Sequence, residues 1–143
     1  MLAHKEGPRV DIHKRCVTVS KKVGLSQARK ALRDILSEVN VSDEIKVARL
    51  LTILDELGNN ILRHGEKGLI CISAYIKGDK VGIRMVAEDR GAGIEDLERA
   101  LRPGYSEDRG MGMGLNLLES ICDDLRIGSL VEGGAYVEVW KWI

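Results

Sequence analysis

The sequence predicts a two-layer α+β sandwich, with helices on one face of a mixed, mostly antiparallel sheet. Two observations predict it. Residues 25–39 and 47–61 repeat their apolar side chains at helical spacing, and residues 69–77 and 80–88 alternate them around a two-residue turn. A helical stripe and a one-sided sheet each have a single face to bury, so they bury it against each other.

Taken in order, Met1–Pro8 is polar and is expected to fray. Cys16–Ser20 alternates weakly and reads as a first strand. Leu25–Val39 carries Ala28, Leu32, Ile35 and Leu36 on one helical face. Ser42 has the chemistry of an N-cap, with Asp43 and Glu44 in the first turn of a helix running to about Arg63. Its stripe is Val47, Leu50, Leu51, Leu54, Leu57 and Ile61, and Gly65 is a natural stop.

Leu69–Lys77 and Lys80–Glu88 form a predicted hairpin across Gly78-Asp79. Ile70, Ile72, Ala74 and Ile76 share one face of the first strand, and Val81, Ile83, Met85 and Ala87 share one face of the second. Ile94–Leu101 reads as a short helix stopped before Pro103-Gly104, and Leu115–Asp124 as another. Leu125–Ser129 and Ala135–Ile143 close the fold as an antiparallel pair. The order is β-α-α-β-β-α-α-β-β. No linker or internal repeat divides it, so residues 1–143 are expected to form one domain.

Composition narrows the function classes. The chain is 44% apolar and 31% charged, the profile of a globular domain. At 143 residues such a domain buries about two-thirds of its unfolded surface. Lysine plus arginine balance aspartate plus glutamate at 22 each, and aromatic residues make up 3%. This tilts against nucleic acid, which calls for a basic surplus and stacking platforms. No run approaches the roughly 18 apolar residues of a spanning helix, and Met1–Pro8 lacks a signal peptide's apolar core. Neither membrane nor metal cage is expected, because Cys16, Cys71 and Cys122 are scattered among only three histidines. These cysteines are expected to be small buried hydrophobes in a reducing cytoplasm.

Three motifs carry chemistry. Glu56 and Asn60 are four residues apart and share the margin of an apolar stripe, while Asp55 and Asn59 turn to the solvent side. The asparagine carbonyl suits a magnesium ion that takes further oxygen ligands from phosphates. The glutamate can accept a proton from an attacking hydroxyl. Alone, the pair also fits a solvated helix edge. His64, one turn on, fits either a pocket or a helix end near the C-terminal dipole.

Counting by two from Val81 reaches Asp89, placing its carboxylate on the buried side if the strand continues that far. A buried carboxylate needs a donor, and a purine amino group is one. Gly91 and Gly93 would let a flat ring lie against the backbone, although an Asx-turn also accounts for Asp89. Finally, Gly110, Gly112 and Gly114 lead into an apolar helix, where free N–H groups make an anion site. A flexible loop is the alternative there. Ser106–Arg109 before it is polar enough for a lid, and Arg109 could face a transferring phosphoryl group.

The succession E-x-x-x-N, D-x-G-x-G and G-x-G-x-G resembles the GHKL ATPase superfamily, with its Bergerat nucleotide-binding fold, from about Cys16 onward. A bare domain of this length is similar to the bacterial partner-switching serine/threonine kinases. It looks most like the stressosome switch-kinase branch, through Ala87–Ile94, Gly104-Tyr105-Ser106 and the closing Trp140-Lys141-Trp142-Ile143. The anti-sigma-factor kinase branch comes second, its helix motif ending in His-Gly as His64-Gly65 does here. The resemblance implies that Glu56 is the general base and Asn60 the magnesium ligand. It implies that Asp89 bonds adenine, with Gly91 and Gly93 shaping that pocket, and that Gly110, Gly112 and Gly114 hold the phosphates of ATP. It further implies a STAS-domain antagonist protein as substrate, and a PPM-type phosphatase or a sigma factor as second partner. One departure is Gly134-Ala135, where the superfamily commonly has Gly-Thr. Trp140 and Trp142 share strand parity and fit either the core or a homodimer interface.

Overall fold

The computed structural model describes residues 10–64, 67–89, 111–130 and 134–143. Its elements are β1 (Val10–Val19), α1 (Lys22–Glu38), α2 (Glu44–His64), β2 (Gly68–Lys77), β3 (Lys80–Asp89), α3 (Met111–Ile121), β4 (Asp124–Ser129) and β5 (Ala135–Trp142). The strands form one sheet in the order β1-β2-β3-β5-β4, and each of its four pairings is antiparallel. The α+β architecture is therefore the expected one. The short helix expected at Ile94–Leu101 lies outside the described residues.

The buried sheet face follows the period-2 pattern. Ile70, Ile72 and Ala74 of β2, Ile83, Met85 and Ala87 of β3, and Val137 and Val139 of β5 meet Leu32, Ile35 and Leu36 of α1 and Leu50, Ile53, Leu54, Leu57 and Ile61 of α2. The opposite face carries Tyr75, which is fully buried between the edges of Trp140 and Trp142, with ring centroids 5.0 and 4.9 Å away. Gly82 lies beneath the Tyr75 ring, where any side chain would collide with it. Arg84 stacks on Trp140 and donates to Glu138 at 2.5 Å and to Asp11 at 3.0 Å. The two tryptophans thus belong to the second sheet face and not to the helix-side core.

Several boundaries move. α2 is capped by Asp43 rather than Ser42: Asp43 Oδ1 accepts from the N–H groups of Ile45 and Lys46, both at 3.0 Å. A carboxylate there also complements the positive end of the helix. α1 ends at Glu38 with Val39 as its C-cap, and Asn40 after it, at a φ of 60°, takes the left-handed conformation that asparagine tolerates. α3 starts four residues earlier than expected. β1 begins six residues before Cys16, because a bulge between Ile12 and Arg15, with His13 at φ 54°, lets the strand continue past a register slip.

That bulge also decides the fate of two cysteines. It brings Cys16 directly opposite Cys71, and the two form a disulfide, with Cys16 exposed at the sheet's edge strand. The expectation of buried, unpaired thiols fails for this pair, since alternation around a bulge cannot be read from spacing alone. It holds better for Cys122, whose half-buried thiol is pushed up to about 12 by desolvation. No helix among the described residues is long and apolar enough to cross a membrane.

Candidate functional site

α2 presents Glu56 and Asn60 one turn apart, and they differ in burial. Asn60 is 5% exposed, and neither its Oδ1 nor its Nδ2 finds a hydrogen-bond partner among the described residues. A buried amide left without partners costs free energy, so both polar atoms are open to a partner outside the described residues. Glu56 is half-buried. Desolvation raises its carboxyl above the ordinary glutamate range, Arg63 opposes that shift, and neighbouring Asp55 reinforces it. Asp55 itself is less free than its solvent-side position suggested. Arg29 Nε on α1 donates to its Oδ1 at 2.7 Å, tying the two helices beside Glu56.

Close backbone approaches set where this turn lies. Gly58, between the two polar residues, admits the Leu25 side chain of α1 into the space a Cβ would take. At the far end of α2, a Cβ on Gly68 would come within 2.7 Å of Ile61 and 2.6 Å of the Glu88 carbonyl oxygen. Gly68 pairs with Asp89 across β2 and β3, and Ile61 follows Asn60. The Asn60 turn and the end of β3 are therefore brought to the same end of the sandwich.

The strand does continue to Asp89, the last residue of β3, but Asp89 is half-exposed there rather than buried as the period-2 count expected. It stands opposite Ala135 in the register with β5, and the Ala135 side chain is fully buried there. The chain thus offers a methyl group beside Asp89 where a threonine would offer a hydroxyl. Thr18, Lys67, Leu69, Glu88 and Leu130 line a cavity of about 330 Å³ with Asp89. Lys67 and Thr18 were not singled out in the sequence, because only the pairing of β1 and β3 with β2 brings them to Asp89.

α3 begins at Met111, so Gly112 and Gly114 lie in its first turn rather than in a loop before it. The N–H groups of a first turn have no intrahelical acceptor and attract anions. Gly91, Gly93, Arg109 and Gly110 lie outside the described residues, as does the side chain of His64.

The set of donors fits a magnesium-bound nucleotide. Asn60 supplies a buried neutral oxygen. No three His, Cys, Asp or Glu side chains converge as a cation cage among the described residues. A hard cation that draws most of its ligands from phosphates and water suits one protein oxygen of this kind.

A helix carrying a carboxylate and an amide unpartnered among the described residues, a carboxylate ending a neighbouring strand, and a glycine-opened helix, all on one α+β sandwich, are consistent with a nucleotide-handling ATPase domain. Residues 19–141 match the histidine kinase-like ATPase domain, and the chain belongs to that family. It is 29% identical to serine/threonine-protein kinase RsbT of Bacillus subtilis (strain 168), over 90% of this chain and 96% of that protein. It is 30% identical to the anti-sigma F factor of Thermoanaerobacter sp. (strain X514), over 87% and 90% of the two chains. A third relative, the anti-sigma F factor of Clostridium novyi (strain NT), is 29% identical over 86% and 89%. The family and both groups of relatives are those the three motifs resemble.

Proposed function

We propose that this protein is a cytoplasmic serine/threonine kinase of a partner-switching pathway, moving the terminal phosphoryl group of ATP to a STAS-domain antagonist. The observation that carries the reading is Asn60, buried with both polar atoms unpartnered among the described residues, one turn from a carboxylate of raised basicity. Phosphoryl transfer asks mainly for positioning and charge stabilisation. The partner's hydroxyl oxygen bonds to the terminal phosphorus as the bond to ADP breaks, and the hydroxyl proton passes to Glu56. A carboxylate of raised pKa accepts that proton more readily than an ordinary one. Asn60 would hold magnesium, which supplies charge neutralisation across the phosphates when bound. Asp89 would accept from the adenine amino group. Gly112 and Gly114 would offer phosphate-binding N–H groups, with Gly91, Gly93, Gly110 and Arg109 completing the cradle as the family resemblance implies.

After release from its substrate, the kinase would engage a PPM-type phosphatase. A second reading is an anti-sigma-factor kinase that sequesters a sigma factor. It is favoured by the 30% identity to a protein of that name and by His64-Gly65. The test incubates this protein with labelled ATP, magnesium and the STAS-domain proteins of its own organism. Label should move to one of those proteins, and Glu56→Gln should abolish transfer while leaving ATP binding intact. Unimpaired transfer by Glu56→Gln would remove Glu56 from the mechanism. Tight capture of a sigma factor of the same organism, with ATP bound, would favour the second reading.

A further inference from the structure

We propose that Cys16 and Cys71 form a redox-exchangeable clamp, through which thiol state sets how firmly β1 and the start of α1 are held against the site-bearing turn of α2. The two residues face each other across β1 and β2, with Cα atoms 4.0 Å apart. Among the described residues β1 is an edge strand, with a backbone partner on one side only. Cys16 is exposed, so a small thiol or disulfide reaches it without unfolding, whereas half-buried Cys71 is the resolving partner. In the cytoplasm that the kinase reading requires, an accessible bond of this kind is a transient rather than a permanent staple. That one step rests on the proposed function.

What the clamp holds leads to the site. Beyond Cys16 the strand runs through Val17 and fully buried Val19, and a Cβ on Gly24 would come within 2.6 Å of the Thr18 carbonyl oxygen. The first turn of α1 is thus built against the end of β1. Leu25, next in that turn, fills the space over Gly58, between Glu56 and Asn60. At the other end of β1, Arg15 and His13 meet Glu38 at the last turn of α1, His13 Nδ1 lying 2.6 Å from Glu38 Oε2. β1 therefore grips α1 at both ends, and the disulfide fixes β1 to the sheet between those grips. It also closes a loop of 55 residues, which restricts the unfolded chain.

Oxidation needs a low-molecular-weight disulfide as the oxidant. The Cys16 thiolate attacks it, displacing one small thiolate and leaving a mixed disulfide. The Cys71 thiolate then attacks the Cys16 sulfur and displaces the second. The protein loses two electrons and two protons, and the small disulfide becomes two thiols. An excess of small thiol runs both steps in reverse.

The test equilibrates the full-length protein in glutathione buffers of graded ratio, without nucleotide, followed by alkylation with mapping of each cysteine and by amide exchange. Cys16 and Cys71 should become alkylatable together through one two-electron transition, while Cys122 stays protected in the native protein. Amides of β1 and of the first turn of α1 should exchange about tenfold faster in the reduced form. Cys16→Ser should show that faster exchange in every buffer. Thiols that stay alkylatable at every ratio, a bond that excess glutathione never opens, or amide exchange indifferent to thiol state would each overturn the proposal. None of these readouts involves phosphoryl transfer, so failure of the kinase reading would show separately.

Discussion

Leu25 of α1 fills the space directly over Gly58 of α2, so the backbone between Glu56 and Asn60 lies against a side chain from the neighbouring helix. A methyl group at Gly58 would collide with Leu25, which is only 4% exposed and has little room to give. Overpacking of this kind costs about 1–3 kcal/mol, against a helix-propensity gain of about 1 kcal/mol for replacing glycine. Gly58→Ala should therefore lose about 1 kcal/mol in urea unfolding. In a Leu25→Ala background the same change should become stabilising, because the space is then open and only the propensity gain remains.

Glu56 should leave a mark on stability as pH changes. Its carboxyl is raised in the folded protein, chiefly by desolvation. The neutral form is thus the one the fold favours. Its contribution is fully present below the ordinary glutamate range and is lost as pH rises through the folded value. Glu56→Gln should match the parent at about pH 4 and become the more stable of the two at about pH 7. Urea unfolding at the two pH values measures this, and a variant less stable at the higher pH would show that the ionised form has a stabilising partner.

For Asn60 the expectation runs against the usual cost of truncating a buried residue. Its amide makes no hydrogen bond among the described residues, so Asn60→Ala removes desolvated polar atoms along with some packing. Without nucleotide the variant should stay within about 1 kcal/mol of the parent. With ATP and magnesium, thermal unfolding of the parent should shift upward while that of the variant should not. A loss of about 3 kcal/mol without nucleotide would mean that Asn60 is a structural residue with an internal partner.

Much of the fold was legible because its signals are local. The 3.6-residue period of Leu50, Leu54, Leu57 and Ile61, and the alternation of Ile83, Met85 and Ala87, report burial on one face of one element, and each is buried in the structure, whereas Val47, Leu51 and Val81 of the same patterns are half-buried and Ile76 is exposed. The same local counting put Asp89 at the end of its strand and Glu56 and Asn60 on one side of a helix. Only the tertiary structure decided what those positions meet. That Asn60 is enclosed without a partner among the described residues, that Gly58 receives Leu25, that Ala135 stands opposite Asp89 and that Cys16 bonds to Cys71 all depend on packing between segments distant in the chain. For Cys16 the decisive event was one extra residue in a bulge, which resets every later pairing on its strand. Periodicity records which face of an element avoids water; register and close approach, set by the packed layers together, choose the neighbour.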